Sequence, residues 1–186
     1  MIEVAERVLH LAESLNIELQ AVHVKGELNV LADMLSRQNV VLKNEWRLVD
    51  RCFEWICRNS LWGPPTIDMF ANRLNTQLQR FISPCEDDKA VGVDALVCRW
   101  PNEVCYAFPP TTIIDRMVVK MLQEKPRKLL LVAPYWPTTS WFPVLQQWCL
   151  KREGIPEVSL IQPHWNHLHP NPELLSLALW HIHCQD

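Results

Sequence analysis

Glycine is scarce in this chain, which has four glycines and fourteen prolines in 186 residues. Its connections are therefore predicted to be stiff turns rather than flexible linkers. No apolar run of about 18 residues and no signal peptide is present, which argues against membrane insertion and secretion. The seven cysteines include no CxxC pair, so the sequence favours an intracellular, reduced protein with cysteines packed in its core.

A net basic charge is also absent. The formal net charge is −3 and the pI is near 6.2, so nucleic acid would need a local basic patch to bind. The candidates, residues 116–128 and Lys151-Arg152, are short and are interpreted as solvated helix ends and turns. The balance of 48% apolar and 21% charged residues is typical of globular proteins, and the length allows one domain with an appendage.

The first 40 residues form a helix–strand–helix pattern. Residues 3–15 carry apolar positions at helical spacing, and residues 17–24 alternate apolar with polar positions. Asn29 then caps a predicted short helix that ends near Ser36. A polar stretch over residues 37–45 follows, and the domain boundary is placed there, just before Trp46.

The region 46–165 alternates helical and strand patterns. A helix is predicted over residues 46–62, and the later pairs are strand 66–71, strand 104–108 with helix 111–123, strand 127–133 with helix 140–151, and strand 157–162. This order predicts an α/β domain with a mainly parallel sheet. Leu129 to Ala133 is apolar at every position, as expected for a strand covered by helices on both faces.

The region 166–186 is predicted to be a separate helical, histidine-rich tail, with its apolar helix over residues 174–179. His181 and His183 are two residues apart, so they would not hold one metal ion together in a strand or in a helix. They are interpreted as surface or capping histidines, and no metal site is predicted. A zinc site built from this cluster is the alternative.

Three features follow predicted strands. They are Asp68 with Ala71 and Asn72, the segment Phe108-Pro109-Pro110, and Pro134 with the aromatic residues after it. If the strands are parallel, these features lie at one sheet edge, where open α/β sheets bind ligands. A carboxylate there suits a ribose or an amino group, and proline-rich loops offer flat surfaces to a base. The alternative is that the prolines only end the strands and the aromatic turns pack the rim of the core.

The segment His23-Val24-Lys25-Gly26, with Asn29, Ala32-Asp33 and Leu35-Ser36-Arg37, resembles the final segment of ribonuclease H domains in retroelement polyproteins. The resemblance implies that Asp33 matches the last metal-binding carboxylate of that family. Ribonuclease H chemistry needs several carboxylates around two metal ions, and the others would precede Met1. Asp33 is therefore expected to be vestigial, in a truncated domain spanning residues 1–40.

The order Ile67-Asp68-Met69-Phe70-Ala71, Asp94-Ala95-Leu96, Tyr106 to Pro110 and Leu131 to Pro134 is similar to phage-type, Dam-like DNA adenine N6-methyltransferases. The resemblance implies a Rossmann-like fold, with S-adenosylmethionine bound near Asp68, Ala71 and Asn72. It also aligns Phe108-Pro109-Pro110-Thr111 with a catalytic tetrapeptide of Asn or Asp, two prolines and an aromatic residue.

The tetrapeptide departs from the family at both functional ends. Phe108 offers no acceptor for an adenine amine, and Thr111 cannot stack on an extruded base. The two resemblances in tandem look like the polyprotein of DIRS-like retrotransposons. The expectation is a retroelement fragment with no cofactor, binding nucleic acid or the rest of its polyprotein. The alternatives are an active S-adenosylmethionine-dependent DNA adenine methyltransferase and a translated remnant without a selected role.

Overall fold

The computed structural model describes residues 2–20, 46–163 and 166–184. The chain divides into two compact units, residues 1–41 and 42–186. In the first unit, helix α1 (Ile2–Ser14) confirms the predicted N-terminal helix. Its apolar residues Val8 and Leu11 are exposed, as is Leu15 directly after it. Residues 17–20 have no regular secondary structure. The rest of the predicted strand, the predicted helix 29–36 and Asp33 lie outside the described residues.

The second unit is a mixed α/β domain. Its helices are α2 (Asp50–Asn59), α3 (Ile114–Glu124) and α4 (Phe142–Trp148), and short 3-10 turns span Thr111–Ile113 and Pro172–Leu175. Its strands are β1 (Arg47–Leu48), β2 (Ile67–Asp68), β3 (Ile82–Ser83), β4 (Gly92–Val93), β5 (Cys105–Ala107), β6 (Leu129–Pro134), β7 (Cys149–Gly154), β8 (Leu160–Gln162), β9 (His167–Leu168) and β10 (Leu177–Ile182).

The main sheet has five strands in the order β2-β5-β6-β10-β7. Strands β2, β5 and β6 are parallel neighbours, whereas β10 is antiparallel to both β6 and β7. The predicted α/β class is confirmed, and the sheet is mixed: β2, β5, β6 and β7 run in one direction, and β10 runs in the opposite direction between β6 and β7. Strands β1, β8 and β9 form a separate antiparallel sheet, and β3 pairs with β4 in parallel.

Strand β10 corrects the prediction of a separate helical tail over residues 166–186. Its six residues are all buried, and they pair along the full length of β6. A short continuous apolar run fits a buried strand as well as a buried helix, so periodicity could not separate the two. Ser176 has a left-handed backbone (φ 47°) that ends the preceding 3-10 turn and lets the chain enter the strand.

Two other helix predictions extend too far. The predicted helix 140–151 ends at Trp148, and β7 continues from Cys149 with alternately half-buried and exposed side chains, as expected at a sheet edge. The predicted helix 46–62 begins only at Asp50, because Arg47 and Leu48 pair with β8. The predicted strand 157–162 is shortened to β8 and belongs to the small sheet rather than to the main one.

Helices cover both faces of the main sheet, as predicted. On one face, α3 and α4 bury Met117, Met121 and Leu145 against alternate strand residues such as Leu131 and Trp180. On the other face, α2 and β8 bury Ile56 and Leu160 with the intervening residues, including Tyr106, Leu130, Val132 and Leu179. Leu129 to Ala133 is therefore enclosed on both sides, which confirms the interpretation of its all-apolar sequence.

The histidines and cysteines only partly follow prediction. All seven cysteines are free thiols, and Cys52 is buried in the core as predicted. His181 is predicted to be a surface or capping histidine, and its side chain is fully buried rather than at the surface. Its ring nitrogens lie 3.2 Å from the Lys151 carbonyl oxygen and 3.1 Å from that of Asn59, and burial lowers its pKa. In the described part of the chain, no three His, Cys, Asp or Glu residues are grouped to hold a metal ion.

The placement of β10 can be tested with two leucine variants. Leu179→Ala removes a fully buried side chain from β10 and is expected to lower the free energy of unfolding by about 2–5 kcal/mol. Leu174→Ala removes an exposed side chain from the preceding turn and should change it by less than about 0.5 kcal/mol. Urea unfolding of both variants makes the comparison. Equal effects would contradict the burial of this strand.

Candidate functional site

A cavity of about 340 Å³ opens at the carboxyl ends of β2 and β5. Its walls are formed mainly by the segments that follow these strands. Six of the eight predicted site residues line it: Ala71, Asn72, Phe108, Pro109, Pro110 and Thr111. Asp68 does not line it, and Asp33 lies outside the described residues. The structure thus brings the tetrapeptide and the segment after Asp68 together in one cavity.

The parallel strands account for this convergence. Ile67 of β2 pairs with Cys105 of β5, which pairs with Leu129 of β6. The three strands run in the same direction, so their carboxyl ends lie on the same side of the sheet. Asp68 and Pro134 are the last residues of β2 and β6, and Pro109 follows β5, so all three lie on that side. The predicted common edge is confirmed, even though the sheet as a whole is mixed.

Asp68 is buried beneath this edge, and only 2% of the residue is exposed. Its Oδ2 atom accepts a hydrogen bond from the backbone N–H of Gln77 at 3.0 Å. Burial raises the pKa of its carboxyl group to about 7, and hydrogen bonds from the backbone N–H groups of Gln77 and Phe70 partly oppose this rise. The side chain thus holds the segment after β2 in place rather than facing a ligand.

Asn72 organises the same segment. Its Oδ1 atom accepts hydrogen bonds from the backbone N–H groups of Leu74 (2.8 Å) and Asn75 (3.2 Å). The Asn75 side chain returns a bond, because its Oδ1 accepts the Asn72 backbone N–H at 2.7 Å. Reciprocal side-chain-to-backbone bonds of this kind stabilise turns, so the cavity wall is preformed.

An ion-pair cluster fixes the other side of this wall. Arg73 donates two hydrogen bonds to Asp87, from Nε at 2.8 Å and from Nη2 at 2.7 Å, and it also contacts Asp88. The Arg73 guanidinium lowers the pKa of Asp87 and is the largest cause of that shift. This bidentate contact joins the segment after β2 to the segment after β3.

The tetrapeptide forms the opposite wall. Phe108 is half-buried against the core cluster that contains Tyr106 and Leu130. The carbonyl oxygen of Pro110 accepts the Ile113 N–H at 3.0 Å, and this bond begins the turn that leads into α3. Thr111 is exposed at the rim. The first position of the tetrapeptide therefore supplies a hydrocarbon ring, and the last supplies a small hydroxyl.

Two parts of the wall were not predicted as site residues. Trp46 and His169 lie edge to face with ring centroids 4.7 Å apart, and both line the cavity. Asp94 lines it as well, and its Oδ1 accepts the Leu96 N–H at 2.9 Å. Asp94 belongs to Asp94-Ala95-Leu96, one of the segments that carry the methyltransferase resemblance, and this segment was the sequence signal for its place in the site. No local pattern links Trp46 to His169, which is more than a hundred residues away.

The chemistry of the cavity is largely apolar. Aromatic rings, prolines and aliphatic side chains form most of its walls, and its polar side chains include Asn72, Asn75, Asp94 and His169. No lysine or arginine is among the lining residues in the part of the chain that the structure describes. Such a cavity suits a flat, uncharged heteroaromatic ring that can hydrogen-bond, and it does not suit a phosphate group.

Comparison with known proteins provides no relative for this chain: no protein family, curated protein or solved structure matches it. Among the helices that the structure describes, none combines the length and the apolar character required to span a membrane.

The burial of Asp68 predicts a specific pH dependence of stability. Its pKa is about 7 in the folded chain and near 3.8 without burial, so only the folded chain keeps this proton between these values. The free energy of unfolding contributed by Asp68 should therefore fall as the pH rises from about 4 to about 7. Asp68→Asn removes the titrating carboxyl group, so the free energy of unfolding of this variant should not show this fall.

Urea unfolding of both proteins between pH 4 and pH 8 gives the difference between their free energies of unfolding at each pH. The titration of other groups, His181 included, largely cancels in this difference. If the difference in stability between wild type and variant does not change with pH, Asp68 does not titrate in this window.

Proposed function

We propose that residues 42–186 are a non-catalytic binding module of a retroelement polyprotein, and that its cavity receives an unpaired nucleobase. The observation that carries the proposal is the single cavity shared by the segment after β2 and the degenerate tetrapeptide Phe108–Thr111. Residues 1–40 are proposed to be the non-functional end of a ribonuclease H domain. That part rests on the sequence resemblance around Asp33.

The parallel part of the sheet supports a relationship to methyltransferases. The resemblance implies a Rossmann-like sheet of parallel strands with helices on both faces, and β2, β5 and β6 are parallel neighbours here. The motif order agrees, because Asp68 ends the first strand of the parallel set and the tetrapeptide follows the second.

The residues present do not fit S-adenosylmethionine. The carboxylate of Asp68 is buried and bonded to the Gln77 backbone, so it does not face the cavity. No glycine occurs between Asp68 and Arg80, so every residue there carries a Cβ atom and close backbone approach to a cofactor is restricted. The proposed module therefore binds without methyl transfer.

The base-binding part of the proposal rests on surface chemistry. A nucleobase offers a flat π-face and hydrogen-bonding edges, which match the ring of Trp46 and the half-buried amide group of Asn75. Base–aromatic stacking is typically worth about 1–3 kcal/mol per base. The base must be unpaired, because a paired base does not expose these edges and faces to a cavity.

The cavity can be tested through Trp46, the one tryptophan among the described lining residues. Adenosine and a single-stranded oligodeoxyadenylate are expected to quench tryptophan fluorescence saturably, whereas ribose 5-phosphate should not. Trp46→Ala should lose the quenching and weaken binding roughly five- to a hundredfold, because the stacking surface is removed. Calorimetry gives the affinities independently of fluorescence.

Trp55→Ala is the matched control, since Trp55 is half-buried on α2 and does not line the cavity. It should bind adenosine like the wild type. Equal affinities of wild type and Trp46→Ala would contradict base binding at this cavity. Micromolar binding of S-adenosylmethionine would favour the rival hypothesis of an active methyltransferase.

Methyl transfer is tested directly with radiolabelled S-adenosylmethionine and adenine-containing single- and double-stranded DNA. The chain is expected to transfer no label above background, because Phe108 has no acceptor for the adenine amine and Thr111 has no ring. A Dam-type methyltransferase serves as the positive control. Transfer by the wild type that disappears in Phe108→Ala would establish the rival function and overturn the proposal.

A further inference from the structure

The wall of the base cavity contains a carboxylate, that of Asp94, which directly follows β4 and is half-buried. Its Oδ1 atom accepts the Leu96 N–H at 2.9 Å, whereas its Oδ2 atom accepts no hydrogen bond from the described residues. Among the described lining residues, no lysine or arginine is present to neutralise it. The cavity therefore contains a strong acceptor that is available to a ligand.

The backbone that carries this carboxylate is fixed by three hydrogen bonds. The Asp94 N–H donates to the Ser83 carbonyl at 2.7 Å, and the Asp94 carbonyl accepts the N–H groups of Val97 (2.8 Å) and Cys98 (2.9 Å). Its φ of 53° is left-handed, a conformation that Asp adopts more readily than most residues because its short side chain can hydrogen-bond locally. An acceptor held in this way loses little conformational entropy when it binds a ligand.

Asn75 supplies a donor in the same cavity. Its Oδ1 atom accepts the Asn72 N–H at 2.7 Å, and this bond orients the amide. The Nδ2 amino group of Asn75 donates to no acceptor among the described residues, and Asn75 lines the cavity. An amide fixed by its oxygen thus leaves two N–H donors for a ligand.

Strand β3 relates the donor segment to the acceptor segment. The Ala71 N–H donates to the Ile82 carbonyl at 3.3 Å, and the Asp94 N–H donates to the carbonyl of the next residue, Ser83. Consecutive carbonyl groups of a strand point in opposite directions, so the two segments lie on opposite sides of β3. Neighbouring strands are about 4.8 Å apart, so the two segments are roughly 10 Å apart, which leaves room for a planar ring.

The nucleobases differ in what their Watson–Crick edges offer to such a pair. Guanine carries two adjacent donors, N1–H and the N2 amino group, beside the acceptor O6. Adenine and cytosine carry one amino donor beside ring acceptors, and uracil and thymine carry one N–H between two carbonyl groups. Acceptors next to a carboxylate repel it, whereas two adjacent donors match its two oxygens. Guanine therefore fits the carboxylate best, and its O6 can accept from the amide.

We propose that Asp94 and Asn75 make the cavity selective for guanine among the nucleobases. This inference rests on the proposed function, because it names the base that the cavity receives. Phe108 has no acceptor for an adenine amine, and the acceptor in this cavity lies at Asp94 instead. Hydrogen bonds to an ionised acceptor are roughly twice as strong as neutral ones, so Asp94 has the larger effect on the choice of base.

Calorimetry with nucleosides tests the selectivity. Guanosine is expected to bind roughly tenfold or more tightly than adenosine, cytidine and uridine, because it alone gives the carboxylate two donors. Inosine lacks the N2 amino group, and 1-methylguanosine lacks the N1–H. Each should therefore bind more weakly than guanosine, by about fivefold or more.

Asp94→Asn assigns the selectivity to its residue. The variant keeps an oxygen for the Leu96 N–H and tolerates the left-handed backbone, but it replaces the available oxygen with an amino group. It should bind guanosine roughly tenfold more weakly and lose the preference over adenosine.

Asp115→Asn is the matched control. Asp115 is exposed on α3 and does not line the cavity, and its Oδ1 likewise accepts a hydrogen bond, from the Ser140 hydroxyl at 2.7 Å. The control variant should keep the wild-type affinity and preference, and thermal unfolding checks that both variants fold.

The outcomes separate this inference from the proposed function. Equal affinities of the wild-type chain for guanosine and adenosine would overturn guanine selectivity and leave base binding intact. A preference for guanosine that persists in Asp94→Asn would overturn the role of Asp94. If none of the nucleosides binds, both the selectivity and the proposed function are overturned.

Discussion

The enclosure of β6 on both faces is the constraint on which the rest of the second unit depends. Each of its six residues is buried, so helices must cover one face, and α2 with the small sheet must cover the other. A strand buried in this way needs hydrogen-bonded neighbours on both edges, because unpaired backbone groups in the core are costly. β5 supplies one edge in parallel and β10 supplies the other in reverse. The direction of these neighbours then decides which loops meet at each end of the sheet.

The proposed site follows from that direction. The segments after β2 and β5 meet at the carboxyl ends of their strands and enclose a largely apolar cavity. The loops of this site are held by internal polar contacts, such as those of Asn72 and the bidentate pair of Arg73 and Asp87.

The sequence predicted the parallel core but not the reversed strand. The run from Leu129 to Ala133 is apolar at every position and has the length of a strand, which favoured a strand covered on both faces. The run from Leu177 to Ile182 is apolar except for His181, but it follows Leu174 and Leu175, which extended the pattern into an apparent helix. Asp68 was correctly placed at a strand end, yet its burial depends on a backbone bond from Gln77 that no spacing rule indicates. Trp46 and His169 meet only because β1 and β9 both pair with β8.

The reversed strand also has a consequence for synthesis on the ribosome. Edge strand β7 is complete at residue 154, but it reaches the main sheet only through β10, which begins at residue 177. Until that later segment emerges, the apolar strand β6 has one open edge with unpaired backbone groups. Such an edge is a template for pairing with other chains. The nascent polypeptide therefore passes through an interval in which its most hydrophobic strand is vulnerable to aggregation, and chaperone binding would matter most during that interval.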